Sequence, residues 1–324
     1  WIGTSDGGLN YYDNASQLYK NYLFNSGNLD VPFKDIKTVY VDEVQDRIYV
    51  GAHAGGMMVL HRKSGYIEYY NRHNSNLPSN NIYSIISDGY GGLWVASLEY
   101  LLHFDIDKRN FTIVDVDEDG HKLQQYNRLL FCDSKKRIWA GGEMGISVFN
   151  QVGTSLLPNT DFQIASVLKQ AFVNCFYETS SGYLWIGTRN GLFALKESDK
   201  QFLQYTTENG LPSNVIYGIL EDAYGRLWIS TNQGLSCLNP ESGKFRNFTI
   251  MDGLQGNQFN AGAYCRKDNG YMLFGGVNGI TSFRPETLID NPYAPKPVIN
   301  KLFVHNKEVL PDDETGILKE SITY

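Results

Sequence analysis

The sequence predicts an all-β protein, a ring of repeated four-stranded antiparallel sheets, and three observations support this. One phrase, clearest as LWIGTRNGLFAL at 184–195, recurs seven times at intervals of 43 to 48 residues. Each repeat contains four short strand-like runs separated by turn residues. No stretch shows a 3.6-residue apolar period long enough for a stable helix. Four strands in a repeat of this length are typical of a β-propeller.

The recurring phrase pairs a large aromatic residue with a small one. Its first position is Trp in five copies and Tyr or Leu in two: Trp1, Tyr49, Trp94, Trp139, Trp185, Trp228 and Leu273. The residue two places later is always small: Gly3, Gly51, Ala96, Gly141, Gly187, Ser230 and Gly275. Because residues i and i+2 of a strand share a face, the aromatic is predicted to be a wedge between blades and the small residue to give clearance. We therefore interpret Trp94, Trp139, Trp185 and Trp228 as structural.

Each repeat is expected to read strand, turn, strand, turn, strand, turn, strand. In the unit from Leu211 the strand runs VIYGIL, RLWIST, LSCL and FRNF are separated by EDAYG, NQG and NPESGK. The Gly of NQG supplies the positive φ that a short hairpin loop needs. The acid of the first turn recurs as Asp88, Asp133 and Asp222. We expect it to bind its own turn backbone rather than to act in catalysis.

Two stretches depart from this pattern. Residues 151–174 lack the aromatic fourth strand, and FQIASVLKQAF suits a short helical turn or an extended loop that carries function or a partner contact. The first unit holds only strands two to four, and the last unit only strands one to three. If 18–24 complete the last sheet, the ring has six blades, and if the first unit is its own blade, it has seven. We predict seven.

The composition changes after residue 288. The propeller is assigned to 1–288, a Pro-rich linker to 289–297, and the first strands of a β-sandwich to 298–324. Three prolines make this linker semi-rigid and a candidate hinge. The sequence starts inside a repeat and stops after ESITY, so we expect a fragment of a longer protein.

Composition excludes two classes of partner. The 324 residues carry a net charge of −7 and no basic stripe, which argues against nucleic acid. No run approaches the 18 apolar residues of a membrane helix, so membrane attachment is expected only through a downstream segment. The four cysteines form no C-x-x-C pair and are expected to be buried, unpaired thiols. Three are predicted in first strands and one in a third strand: Cys132, Cys175 and Cys265, then Cys237.

A propeller enzyme, such as a polysaccharide lyase or glycosidase, is the weaker alternative. A glycosidase needs two carboxylates that face each other across the substrate. Adjacent acids such as Asp42–Glu43 and Glu221–Asp222 point to opposite faces of a strand. The six histidines are scattered without metal-site spacing, and no G-x-S-x-G phrase occurs. We predict no catalytic residue, no metal site and no cofactor.

The repeat resembles the two-component regulator propeller repeat, with the pattern LPSN-x-I-x-x-I-x-x-D-x-x-G-x-LWIGT-x-x-GL-x-x-F and an aromatic fourth strand. The likeness covers residues 1 to about 288 and is specific in four or five units. It is weaker around Tyr49 and 150–174. The tail APKPVINKLFVHNKEV is similar to the opening of the Tyr-rich β-sandwich domain that follows such propellers. The pairing resembles the periplasmic sensor region of hybrid two-component regulators in gut Bacteroides-type bacteria.

That resemblance implies two successive seven-bladed propellers, a sandwich, one membrane span, and then kinase and response-regulator domains. It also implies oligosaccharide ligands released from dietary or host polysaccharides. The chain is then a periplasmic sensing module that does no chemistry, within a histidine kinase that we expect to be a homodimer. A protein-interaction scaffold remains the open alternative.

The candidate ligand residues lie in turns on one face of the ring. In a propeller of this strand order, the turn before strand one and the turn between strands two and three open on the same face. Their Asn, Gln, Arg and Tyr residues suit sugar hydroxyls, which need fixed donors and acceptors beside an apolar surface. The candidates are Arg189, Asn190, Asn232, Gln233, Glu99, Tyr100, Glu143, Arg128, Asn257 and Gln258, with His53, Asn80, Asn81, Asn127 and Asn214 in the same turns.

Overall fold

The computed structural model describes residues 1–22, 33–97, 99–114, 127–196, 201–288 and 301–310. The chain divides into two compact units, Trp1–Pro285 and Glu286–Tyr324. Within the described residues the secondary structure is almost all strand. The helical elements are α1 (Gln163–Val167) and short 3-10 turns at Thr207–Asn209, Ile250–Asp252 and Pro285–Thr287.

Five blades of the first unit are four-stranded antiparallel meanders. Blade 2 holds β4 (Ile36–Asp42), β5 (Arg47–Ala52), β6 (Gly56–His61) and β7 (Ile67–Tyr70). Blade 3 holds β8 (Ile82–Ser87), β9 (Leu93–Ser97), β10 (Leu101–Asp105) and β11 (Asn110–Ile113). Blade 4 holds β12 (Asn127–Cys132), β13 (Arg137–Gly142), β14 (Gly145–Val152) and β15 (Ser155–Pro158). Blade 5 holds β16 (Val173–Glu178), β17 (Tyr183–Thr188), β18 (Gly191–Lys196) and β19 (Gln201–Tyr205). Blade 6 holds β20 (Ile216–Glu221), β21 (Leu227–Thr231), β22 (Gly234–Asn239) and β23 (Lys244–Phe248).

The two remaining blades have three strands each in the described chain. Blade 1 holds β1 (Ile2–Gly3), β2 (Leu9–Asp13) and β3 (Leu18–Tyr22), and blade 7 holds β24 (Phe259–Arg266), β25 (Met272–Gly276) and β26 (Gly279–Phe283). Since β3 pairs with β2, it belongs to blade 1 and does not complete the last sheet. The prediction of a seven-bladed β-propeller is confirmed.

The ring closes where blade 7 meets blade 1. The Lys267 ammonium lies 3.5 Å from the Asn14 amide oxygen. A side-chain contact therefore joins the first and last blades.

The second unit contains one hairpin in its described part. It consists of β27 (Leu302–Val304) and β28 (Lys307–Val309), within the range predicted to begin a β-sandwich. The predicted linker at 289–297 lies outside the described residues.

The Trp wedge is confirmed in the blades that carry it. Trp94 of blade 3 is fully buried among Ile138, Ala140 and Phe149 of blade 4. Trp139, Trp185 and Trp228 occupy the same position against blades 5, 6 and 7. Each buried indole removes a large apolar surface from water at one interface between blades.

The small residue gives the predicted clearance. A Cβ placed on Gly51 would lie 2.5 Å from Cγ2 of Ile82, the first residue of the next inner strand. A Cβ on Gly3 would lie 2.6 Å from Cγ2 of Ile36 in the same way. In these two blades the next inner strand can therefore approach this closely because the position lacks a side chain.

The turn acids have the expected structural role. Asp222 accepts hydrogen bonds from the backbone N–H groups of Tyr224 and Arg226, each at 2.9 Å. Its second oxygen accepts from Arg226 Nε at 2.7 Å and from Trp228 Nε1 at 3.0 Å. Asp133 makes the equivalent contacts in blade 4. The buried carboxylate thus ties its turn to the wedge Trp.

The 151–174 stretch forms the predicted short helical turn, α1. Ile164 within the helix and Leu168 directly after it are buried against Trp139, Val148 and Ile186 of blades 4 and 5. The segment therefore fills the seam between these blades.

The expectation for the cysteines is only partly right. All four thiols are free, and Cys175 and Cys237 are buried, which raises their pKa values to about 12 and about 11. Cys132 is half-buried, and Cys265 is exposed, contrary to the prediction. Tyr264 packs against blade 6, so Cys265 faces the opposite side. Blade 1 lies on that side, and its described part contains no inner strand to cover Cys265.

Gly51→Ala should lower the free energy of unfolding by about 1–3 kcal/mol, because the new methyl overlaps Ile82. Urea unfolding measures the change. The control is Gly256→Ala, whose Cβ would meet the flexible end of the Asn278 side chain at 3.2 Å. A Gly51→Ala protein as stable as the wild type would contradict the clearance interpretation.

Asp222→Asn should destabilise the protein by about 2–4 kcal/mol. The substituted amide nitrogen would face the Arg226 and Trp228 donors, although exposure of the arginine reduces the loss. Chemical denaturation monitored by Trp fluorescence provides the measurement. The control is Asp105→Asn, which removes an exposed pair with Lys108 and should leave the midpoint nearly unchanged.

Candidate functional site

The inner strands share an irregularity at the end where they begin. Their register with the second strand shifts after the first residue in blades 2 to 6, and over a longer stretch in blade 7. A β-bulge of this kind leaves a residue unpaired and re-aims its side chain. The skipped residues in blades 2 to 6 are Lys37, Tyr83, Arg128, Asn174 and Tyr217. They lie at the end of the ring that also carries the turns between second and third strands, which we call the upper rim.

Arg128 is the centre of a side-chain cluster on this rim. Its guanidinium carbon lies 4.8 Å from the ring centroid of Tyr83 and 5.7 Å from that of Phe172. Its Nη2 donates a short hydrogen bond to Glu143 Oε1. Two aromatic rings and one carboxylate, from blades 3, 4 and 5, therefore hold a single cation.

The cluster extends to both sides of Arg128. Arg189 stacks its guanidinium 3.7 Å from the centroid of Phe172. On the other side, the Tyr83 hydroxyl lies 3.4 Å from His53 Nδ1. His53, Tyr83, Arg128, Glu143, Phe172 and Arg189 thus form one connected group across blades 2 to 5, here called the rim cluster.

The rim cluster is accessible and has unused hydrogen-bonding capacity. The side chains of Arg128 and Glu143 are 35% and 37% exposed, and Arg189 is exposed. Arg128 Nε is buried and has no hydrogen-bond partner within the described chain. The arrangement can stack a ring on an aromatic face and can donate to, and accept from, hydroxyl groups.

The structure brings together four of the candidate residues, His53, Arg128, Glu143 and Arg189. Asn190, beside Arg189, is exposed, and its carbonyl accepts from Gln204 Nε2 at 3.0 Å. Glu143 and Arg189 lie in equivalent turns of blades 4 and 5. Arg128 is the bulged residue at the start of the inner strand of blade 4.

The predicted residues of blades 3 and 6 lie in rim turns but outside the cluster. Glu99 is exposed, whereas Tyr100 packs on the core between blades 2 and 3. Gln233 is exposed. Asn232 is half-buried, and its Oδ1 has no hydrogen-bond partner in the described residues.

Asn257 has a structural function. Its side-chain oxygen accepts from the N–H of Ile250 at 2.8 Å, and its carbonyl accepts from Gly234 at 2.6 Å. Asn214 binds Thr207 and Gly191 in the same way, and Asn80 binds Arg72 and Gly56. This repeated Asn fixes the turn between strands two and three to the chain that leaves strand four. The neighbouring Gln258 is exposed, and its carbonyl accepts from Gln255 Nε2 at 3.1 Å.

Sequence reasoning missed Tyr83 and Phe172. Tyr83 is the second residue of its inner strand, the position of Arg128 and Tyr217, and Phe172 directly precedes β16. Reading that second position across all repeats would have identified Tyr83.

No group of three or more His, Cys, Asp or Glu residues able to hold a metal ion occurs in the part of the chain that the structure describes. Among the same residues, no helix has the length and apolarity needed to cross a bilayer.

The comparisons with known proteins indicate one family. The family model of the two-component regulator propeller matches residues 76–99, 168–190 and 210–233. Histidine kinase P4 of Formosa agariphila is 25% identical over 378 aligned positions, which cover 98% of this chain and 27% of the relative. The chain thus spans about a quarter of the curated relative that it matches.

Two solved structures share the fold. The extracellular domain assigned to a hybrid two-component system of B. thetaiotaomicron superimposes with a TM-score of 0.69 at 19% identity, covering 87% of this chain and 36% of that one. A streptogramin B lyase superimposes with a TM-score of 0.61 at 12% identity, covering 85% and 86%. Since the same fold occurs in a sensor region and in a lyase, function must be argued from the site.

A double-mutant cycle with Arg128→Met and Glu143→Gln should give a coupling energy below about 1 kcal/mol, because both side chains are about a third exposed. Urea unfolding of the wild type, both single variants and the double variant measures it. A coupling above about 2 kcal/mol would show that the pair serves stability rather than recognition.

Proposed function

Because the chain is built of two-component regulator propeller repeats, we propose that it is the extracytoplasmic ligand-sensing module of a hybrid two-component signalling protein. The ligand is an oligosaccharide derived from a polysaccharide, and it binds at the rim cluster. The observation that carries this proposal is the convergence of aromatic, cationic and carboxylate side chains from four blades on one rim.

The chemistry of the rim cluster suits a sugar. A pyranose has C–H faces that pack against an aromatic ring and hydroxyls that need both donors and acceptors. Phe172 and Tyr83 offer the rings, Arg128 and Arg189 the donors, and Glu143 an acceptor. The cation–π contacts hold these groups in place before a ligand arrives, which lowers the entropy cost of binding.

The same cluster supports binding without catalysis. Glycoside hydrolysis uses two carboxyl groups on either side of the scissile bond. The rim cluster contains one carboxylate, Glu143, and that group is paired with Arg128. A carboxylate that accepts from an arginine in this way serves as a hydrogen-bond acceptor for a ligand rather than as one of a facing pair of catalytic acids.

Signalling then requires a rearrangement of whole domains or protomers. A closed ring of blades packed through buried Trp residues is rigid, so binding energy acts by favouring one arrangement of the propeller and its neighbours. We place the module in the periplasm, within a homodimeric histidine kinase. The linker at 289–297 is the proposed hinge.

A protein-interaction scaffold is the second candidate, and one observation favours it. The turns between first and second strands, at the opposite end of the ring, expose large apolar side chains in three blades. These are Val44, Tyr90 and Tyr224, which are 97%, 68% and 67% exposed. Exposed apolar groups that recur at one end of a ring suit a protein partner.

The test is thermal shift and calorimetry of the purified chain with a panel of polysaccharide-derived oligosaccharides. A true ligand should raise the melting temperature in a concentration-dependent way. Arg189→Gln and Phe172→Ala should each weaken binding about tenfold. The matched control is Arg246→Gln, which alters an arginine 4.8 Å from the ring of Phe248, away from the rim, and should leave affinity unchanged.

Three results would contradict the proposal. The first is a combination of two findings. No glycan shifts the melting temperature, and a protein partner that co-purifies with the wild type no longer co-purifies with Tyr90→Ser or Tyr224→Ser. The second is equal glycan affinity in the wild type and the Arg189 and Phe172 variants, which would place the ligand elsewhere. The third is turnover of any glycan by the purified chain, which would overturn binding without catalysis.

A further inference from the structure

Blade 2 contains a cavity at the position that the wedge Trp fills elsewhere. Tyr49 replaces the Trp, and a space of about 170 Å³ lies at the seam between blades 2 and 3. Its lining includes Arg47, Tyr49, Glu68 and Tyr70 from blade 2, and Phe104 and Arg109 from blade 3. The cavity lies towards the end of the ring opposite the rim cluster.

The arginine of this cavity has lost the acid that its counterparts bind. Arg137 and Arg226, each two residues before a wedge Trp, donate to the turn carboxylates Asp133 and Asp222 at 2.6 and 2.7 Å. In blade 2 the turn carboxylate of Asp42 instead accepts from the backbone N–H groups of Val44 and Gln45. Arg47 therefore lines the cavity without an ion pair inside the described chain.

The Tyr49 hydroxyl is a second unused donor. The side chain is 1% exposed, and its oxygen makes no hydrogen bond of normal geometry to any described residue. It lies beside the Arg47 guanidinium, and burial raises the pKa of the phenol, which is therefore protonated. A buried hydroxyl without a partner is costly unless a bound molecule supplies an acceptor.

The carboxylate in the cavity is already saturated. Glu68 Oε1 lies 2.6 Å from His61 Nε2, and its Oε2 accepts from the Tyr70 hydroxyl at 2.8 Å and lies 3.5 Å from Arg109. Burial opposes ionisation, but the Tyr70 and His61 hydrogen bonds hold the pKa of Glu68 below its usual value. Glu68 is thus already engaged by His61, Tyr70 and Arg109, and Arg47 and the Tyr49 hydroxyl are the donors that remain for a ligand.

We propose that this cavity is a second ligand site, which takes a small hydroxylated carboxylate. The carboxylate group accepts from Arg47 and Tyr49, and the ring hydroxyls reach Arg109 and the exposed Asp107 at the mouth. A cavity of about 150 Å³ holds benzene, so this space has the scale of one six-membered ring. The site is separate from the rim cluster, and its occupancy does not depend on the proposed sensing function.

The test is isothermal titration calorimetry of the 324-residue chain with glucuronate, and with glucose, in which a neutral hydroxymethyl group replaces the carboxylate. Glucuronate should bind saturably and glucose at least about tenfold more weakly, because charge-assisted hydrogen bonds would be lost. Arg47→Gln and Tyr49→Phe should each weaken glucuronate binding by a similar factor. Tyr49→Trp, which restores the residue of the other blades, should abolish it.

Arg62→Gln is the matched control, since this blade 2 arginine lies outside the cavity lining and near Asp46. It should leave glucuronate affinity unchanged, and far-ultraviolet circular dichroism confirms that each variant is folded. Three results would overturn the site: no saturable glucuronate binding by the wild type, equal binding of glucose, or undiminished binding by folded Tyr49→Trp. Because oligosaccharide binding at the rim is measured with different variants, either proposal can fail without the other.

Discussion

Close approach between neighbouring inner strands is the constraint on which the propeller depends. It occurs where a residue without a side chain, such as Gly51, receives the isoleucine that begins the next inner strand. The aromatic residue two positions earlier, Tyr49 in this blade and a buried Trp in blades 3 to 6, fills the wedge that opens outward between the same two blades. The small residue and the wedge residue two places before it together set the angle between neighbouring blades. The same local pair, repeated around the chain, therefore closes a ring.

The rim follows from the same geometry. Where inner strands are held this close, the first paired residue is buried, as Ile36, Ile82 and Val173 are, and the next one leaves the ladder as a bulge. Tyr83 and Arg128 occupy this position in successive blades, one repeat apart, and so come within contact distance of each other. The repeated Asn that binds Gly56, Gly191 or Gly234 pins the adjoining turn. The side chains of the rim therefore stand on a backbone that the core has already fixed.

Much of the fold could be predicted from the sequence, because it depends on local rules. The wedge Trp, the small residue and the turn acids follow from period and alternation, and the structure confirms them. Strand counting alone left six or seven blades open, and the prediction of seven, which rested partly on the family resemblance, is confirmed. The candidate site was harder to predict from the sequence. Contacts such as Arg128 with Phe172 join residues a whole repeat apart, and a register shift leaves no mark on a period-2 pattern. The prediction that Cys265 is buried was wrong for a related reason, since its exposure depends on which strands its neighbouring blade contains.

The bulge position has a further consequence for how such proteins diversify. Its residue makes no ladder hydrogen bond, so the lysine, tyrosine, arginine and asparagine found there in different blades all leave the sheet intact. Where this residue faces solvent, mutation can change the chemistry of the rim one blade at a time at little cost to folding; Asn174 is the exception, since it is buried and donates to the Ile216 carbonyl at 2.8 Å. Each blade of the ring thus contributes one variable side chain to the rim, and selection can act on combinations of these side chains while the architecture stays the same.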